Sequence, residues 1–247
     1  MMRTSNPALR DEFFSGAAVS GTERMTIRGT VNKTLFLLLL VVGGASFTWM
    51  KVFSGDVNSV PIWMGAGAIL GLILAMVTIF KREWAGVTAP AYALAEGVFI
   101  GGISAFFEAR YPGIALQSVA LTFGTLLTML GVYRSGLIAV TDKFRMGVVA
   151  ATGGVALLYL ASWILGMFGV DLGFMQGSGV LSIGLSFFVV GLAALNLVLD
   201  FDFIERASAY GLPKYMEWYG VFSLMVTLVW LYLEILRLMS KLNDRRR

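Results

Sequence analysis

Seven apolar stretches, each long enough to cross a bilayer, follow one another through this chain and constrain its fold more than any other feature. They read as Thr34–Phe53, Val60–Phe80, Gly86–Phe107, Pro112–Tyr133, Gly147–Val170, Gly177–Leu199 and Tyr219–Met239. A helix rises about 1.5 Å per residue and the hydrocarbon core is about 30 Å thick, so about 20 apolar residues suffice. Backbone polar groups in hydrocarbon must be paired inside the protein, which leaves helices or a closed barrel. A barrel alternates apolar and polar residues, and the run Leu35-Phe36-Leu37-Leu38-Leu39-Leu40 excludes it. The fold class that follows is an all-α membrane protein, a seven-transmembrane-helix bundle. Composition agrees, because charged residues make up only 14% of the chain against about 25% in soluble domains.

Residues 1–33 carry Arg3, Arg10, Arg24, Arg28 and Lys33 with no apolar core between them. This is not a cleavable signal. It predicts a cytoplasmic, largely disordered tail, with a segment lying on the membrane surface as the alternative. Residues 34–241 then form the transmembrane domain and residues 242–247 a basic C-terminal tail. The absence of cysteine leaves no disulfide or thiol redox chemistry. The net charge of +4 comes from basic residues scattered at helix ends, not from a stripe, so no nucleic-acid partner is expected. With the N-terminus inside, 12 basic residues are cytoplasmic and 7 external, as the positive-inside rule requires. Lys241 and Arg245-Arg246-Arg247 run against the rule, since seven spans place them outside. One re-entrant late segment would return them to the inside.

Aromatic residues at or near the span ends, Trp49, Trp63, Trp84, Tyr111, Tyr133 and Trp218, match an interfacial belt. Trp163 and Trp230 lie deeper and predict packing. The pairs Gly67/Gly71 and Gly97/Gly101 place small residues four apart, a helix-packing signal.

Ionisable residues within the stretches are the candidate site. Glu96 sits about ten residues from either end of the third stretch, hence about 15 Å from each interface. An acidic side chain there costs several kcal/mol (about 3 on the lenient scales) and needs a partner, a cavity or a proton. It is either a neutral acid bonded to a neighbouring helix or a group serving ion or proton passage. Asp200 and Asp202 end the sixth stretch. Their spacing separates them by about 200° around a helix, so they face different sides. Acid at a helix C-terminus is also opposed by the helix dipole. Glu234 and Arg237 are three apart and can pair on one face. Glu217 reads as a solvated residue at the start of the last span, and Asn196 as an interhelical hydrogen bonder. Thus Glu96, Asp202, Asp200 and Glu234 are the candidate ion- or proton-sensing residues, and Arg237, Lys81 and Arg82 the candidate charge partners.

The chain has no histidine. That removes Ser-His triads and imidazole-based zinc or haem sites. No phosphate-binding Gly-rich loop occurs. No enzyme activity and no cofactor are expected.

Several blocks of sequence, in order, resemble the Bax inhibitor-1/YccA family, closest to its longer bacterial branch. They are Met25-Thr26-Ile27-Arg28-Gly29-Thr30-Val31-Asn32-Lys33-Thr34, Ala95-Glu96-Gly97 through Pro112-Gly113-Ile114, Tyr133-Arg134-Ser135-Gly136, and Leu231-Tyr232-Leu233-Glu234-Ile235-Leu236-Arg237-Leu238. The resemblance implies a bundle whose last helix is central. It implies a calcium leak or calcium/proton exchange activity in a bacterial inner membrane, with calcium as permeant ion. It also implies an acidic pair on the sixth and seventh helices that shares a proton. Phe201-Asp202 best matches the sixth-helix position, with Asp200 second. Glu234 or Thr227 falls at the seventh, and Glu96 or Glu217 is the substitute if that position is not acidic. On this reading Asp202 and Glu96 are the calcium-contacting groups. The family's second-helix arginine has no counterpart in Val60–Phe80, which leaves Lys81 and Arg82 nearest. Some relatives modulate membrane proteolysis, so the alternative function is a non-transporting regulator that contacts a membrane protease or stress factor. Its contact surfaces would be the basic tail and the Glu205–Trp218 loop.

Overall fold

The structure is a computed structural model; it describes residues 24–169, 177 and 179–246. Most of the expected N-terminal tail, Val170 at the end of the fifth stretch, and Arg247 lie outside the described residues. Among the described residues seven long helices run in order: α1 Ile27–Phe53, α2 Val60–Phe80, α3 Ala85–Arg110, α4 Ile114–Arg134, α5 Asp142–Met167, α6 Val180–Ala209 and α7 Tyr215–Arg246. All seven are long and apolar enough to cross a membrane. Short 3-10 turns, Val57–Ser59 and Arg82–Trp84, lead into α2 and α3.

Both ends of the chain depart from the hydropathy reading. The α1 helix begins at Ile27, seven residues before Thr34, because Thr26 caps it by accepting a hydrogen bond from the Gly29 N–H. Side-chain caps of this kind satisfy amide donors that the first turn leaves free. The expected C-terminal tail continues α7 as helix to Arg246. Hydropathy marks where hydrocarbon ends, and a helix need not stop there.

Glycines bring α1, α2 and α3 together. A Cβ at Gly97 would lie 2.4 Å from the Val41 carbonyl oxygen, and one at Gly101 2.2 Å from that of Ala45. From α2, a Cβ on Gly67 would meet the Ala95 carbonyl oxygen at 2.7 Å. Only a missing side chain permits such backbone approach, which is how membrane helices gain packing energy. The Thr48 hydroxyl then reaches across to donate to the Val98 carbonyl at 2.9 Å.

The α7 helix occupies the centre. Its apolar window is 67% buried, the highest of any span, against 11% for α5. It packs on α1, α3, α4 and α6 through residues such as Val221, Met225, Leu228 and Leu231. The enclosure is incomplete along one line. Tyr219, Ser223, Val226, Trp230, Leu233 and Arg237 alternate at spacings of four and three and are the residues of this stretch that are not buried. That spacing marks one face of a helix, so α7 carries an open seam.

Paired ends fix the orientation of the bundle. Thr26, just before α1, bonds Glu217 at the start of α7, while Arg110 at the end of α3 reaches Asp244 near the end of α7 at 3.4 Å. The first and last helices therefore begin at the same end of the bundle and run parallel. Between α1 and α2, Asp56 accepts from Lys51 at 2.8 Å and from Ser59 at 2.7 Å. The Lys51 ammonium, helped by the Ser59 hydroxyl, holds the Asp56 carboxyl below its ordinary range.

Trp230 is half-buried and packs against the α5–α6 cluster as the sequence predicts. Trp163 does not pack: it is 66% exposed on the outer side of α5.

Candidate functional site

Four acidic side chains in or at the edges of the apolar stretches meet four different surroundings, decided by which helix each faces. Glu96 projects from α3 into a cavity of about 520 Å³ that is otherwise mainly apolar. Tyr92, one turn earlier, lines the same cavity. Across the cavity stand Ser223 and Thr227 of α7, and its walls include Leu72 and Ala75 of α2. Gly71 makes the room: a Cβ there would meet the Glu96 Oε1 at 2.8 Å. The Gly67/Gly71 pair thus serves two purposes, of which spacing reveals only packing. Because Ser223 and Val226 belong to the open seam of α7, the cavity borders that seam.

Asp200 lies behind the same α7 face. It is 7% exposed, and its Oδ1 accepts from the Ser223 hydroxyl at 2.6 Å. Its Oδ2 has no hydrogen-bond partner among the described residues. Thr227 donates to the Ser223 carbonyl at 3.3 Å. The Ser223 side chain thus touches the buried carboxylate on one side and lines the Glu96 cavity on the other. The structure selects Asp200, not Asp202, as the α6 acid that faces α7. What it meets there is a hydroxyl where the resemblance implies a second carboxyl.

Asp202 turns toward α5, as two residues of helical rotation require. Its carboxylate accepts from Arg145 at 2.6 Å and from Arg206 at 2.9 Å. A carboxylate held by two guanidinium groups has little left for another cation. Neither arginine is among the charge partners expected from sequence: Arg145 precedes the fifth apolar stretch, on a different helix, and Arg206 follows the sixth. Lys81 and Arg82 sit elsewhere, in the turn between α2 and α3, where Arg82 lies 5.3 Å over the Tyr219 ring.

Glu234 is 1% exposed and satisfied locally. Tyr159 of α5 donates to it at 3.0 Å, and Arg237 approaches at 3.1 Å while also donating to the Tyr159 hydroxyl at 2.8 Å. The expected Glu234–Arg237 pair is present, and Tyr159 completes it. Glu96, Asp202 and Glu234 do not converge on one interior space. Among the described residues no group of three or more acidic side chains could hold a metal ion; Asp202 faces its two arginines and Glu96 faces the cavity beside α7. Calcium takes about six to eight oxygens.

Glu217 corrects the sequence reading most sharply. It is 1% exposed, not solvated. It accepts from the Thr26 N–H and hydroxyl, each at 2.9 Å, and from the Lys33 ammonium. A Cβ at Gly29 would lie 2.3 Å from its Oε1. The cluster binds the start of α1 to the start of α7. Nearby, Met25 is 2% exposed and donates its N–H to the Leu212 carbonyl at 2.7 Å. Asn196 joins α6 to α5 by donating to Thr152 at 2.9 Å, as an interhelical bonder should.

Carboxyl and hydroxyl groups facing a membrane-embedded cavity can bind and release a proton or contact a passing cation. No curated protein and no solved structure matches the chain. A family model described as Bax inhibitor 1 like matches residues 6–244, nearly its whole length. With its seven membrane-spanning helices, the chain is an integral membrane protein that belongs to the Bax inhibitor 1 like family.

Proposed function

We propose that the protein is a pH-sensitive calcium leak channel or calcium/proton exchanger of a bacterial inner membrane, with its N-terminus in the cytoplasm. The observation that carries this reading is the Ser223 hydroxyl, bonded to Asp200 at 2.6 Å and lining the cavity that holds Glu96. A hydroxyl both donates and accepts. Ser223 is therefore suited to pass a proton between the buried Asp200 and the cavity. Glu96 then supplies the second carboxyl, since α7 offers Asp200 a hydroxyl instead. The same carboxyl oxygens attract calcium when ionised and not when protonated. Proton and calcium compete, and calcium flux falls as the pH is lowered through the range in which these groups take up protons.

The test is calcium flux into proteoliposomes at two pH values. Flux above that of empty vesicles at the higher pH, reduced at the lower, is expected. Glu96→Gln should remove most of the pH dependence, while Asp202→Asn should act through stability and leave it in place. Flux equal to that of empty vesicles would reject transport.

A further inference from the structure

A second cavity, of about 510 Å³, lies apart from the Glu96 site. Its walls come from α1 (Val42, Ser46, Trp49) and α4 (Val119, Phe123), and its floor includes Leu228 of the central helix. The α1 and α4 helices flank it, and any direct contact between them is slight. Along α1 it extends from Leu38 to Met50, about 18 Å at helical rise. It runs from mid-depth toward the end of the bundle where α1 and α3 finish. Polar atoms in the lining are already engaged: Ser104 and Tyr232 bond each other at 2.7 Å, and Ser46 bonds the Val42 carbonyl at 2.8 Å. Nothing here invites water, a cation or a polar ligand.

We infer that this groove is a binding site for one acyl chain of a bilayer phospholipid. Its apolar lining is continuous with the lipid-facing surface of the spans, where Val42, Met50 and Phe123 are exposed. Its size falls in the range of about 300–1,000 Å³ typical of small-molecule sites. Its long, narrow course along the helix axes matches an extended hydrocarbon chain. A chain seated there has protein on several sides and meets the central helix, whereas an ordinary boundary lipid touches one surface. It should therefore exchange more slowly.

Single-tryptophan versions of the full chain test this. Trp49 lines the groove, and Trp163 faces outward from α5 at 66% exposure. Each protein is held in mixed micelles of detergent and phosphatidylcholine brominated on its acyl chains, which quenches tryptophan, and then diluted into a large excess of micelles with unbrominated lipid, between which free lipid mixes rapidly. Trp163 should recover at once and Trp49 at least tenfold more slowly. Ser46→Phe, which fills the groove from an exposed α1 position, should abolish the delay. Equal recovery of both tryptophans would mean bulk lipid only and overturn the proposal. So would a Trp49 that is never quenched, the sign that a second copy or water covers the groove. If Ser46→Phe fails to fold, the comparison of Trp49 with Trp163 still decides.

Discussion

Ser223 is the residue on which the site turns, and its contribution can be separated from that of Glu96. Among the described residues its hydroxyl gives Asp200 a side-chain hydrogen bond, inside a span and away from water. Leaving a buried acceptor unsatisfied costs about 1–3 kcal/mol, more when it is charged. Ser223→Ala should therefore lower the unfolding midpoint in detergent, and Ser223→Thr should restore it. On the proposed function, the alanine variant should also slow proton-coupled flux even where enough folded protein remains, since the proposed relay would lose its hydroxyl. Unchanged stability together with unchanged flux would show that Asp200 needs no partner on α7. Glu217 obeys the same physics in a structural role. Removing one partner of a buried ion pair costs about 3–5 kcal/mol, whereas replacing both with apolar groups is often neutral. Lys33→Met should destabilise strongly, and Lys33→Met with Glu217→Leu should recover part of the loss, though Thr26 then loses its acceptor. Thermal unfolding of the two single variants and the double variant measures the coupling.

Among the elements, α5 is held differently from the rest. It packs on α6 through few apolar residues, chiefly Val148 and Val155. Polar groups supply the other attachments. Arg145 bonds Asp202, Thr152 accepts from Asn196, and Tyr159 donates to Glu234. Positions 145, 152 and 159 are seven apart, so they stack on one face of the helix, two turns between each. Tyr159→Phe combined with Asn196→Leu should free the outer part of α5. The chain has no native cysteine, and a Cβ at Gly153 of α5 or Gly191 of α6 would meet nothing within 4 Å. Spin labels at those two sites should show a broadened distance distribution in the double variant, while labels at Gly43 and Gly65 on α1 and α2, equally open, should not. Such tethers explain what the sequence could and could not disclose. Length and hydropathy reveal the helices, because the bilayer imposes both. A lone charge such as Glu96 or Asp200 stands out in an apolar run for the same reason. Ser223, Thr152 and Tyr159 carry no such contrast, since small hydroxyls and tyrosine are unremarkable in membrane helices. Only the tertiary arrangement shows what they touch.

At the scale of the whole molecule, seven helices with α1 and α7 parallel place the two ends of the bundle in opposition. The Glu217 cluster, Asp202 with Arg145 and Arg206, and the α6–α7 loop gather at the end where α1 begins. Lys241, donating to Ser186 at 2.9 Å and the Ser182 carbonyl at 3.3 Å, sits toward the other end with Arg237 and Asp244. The positive-inside rule concerns basic residues in short loops near span ends. Arg237 and Lys241 are different, because they lie within α7 and are engaged by Glu234, Tyr159, Ser182 and Ser186. Without those two, the external basic residues fall to Lys51, Arg110 and the terminal arginines. The same criterion removes Lys33, Arg145 and Arg206 from the inner side, so the N-terminus inside remains the proposed orientation. It follows that a reporter fused after Arg247 should be active when its activity requires the periplasm and silent when it requires the cytoplasm, with the opposite result for one fused before Met1. Activity of both fusions on the same side would mean an even number of crossings. In that case one apolar helix would not span, and α5, the least buried of the seven and the one held by polar tethers, would be the first to examine.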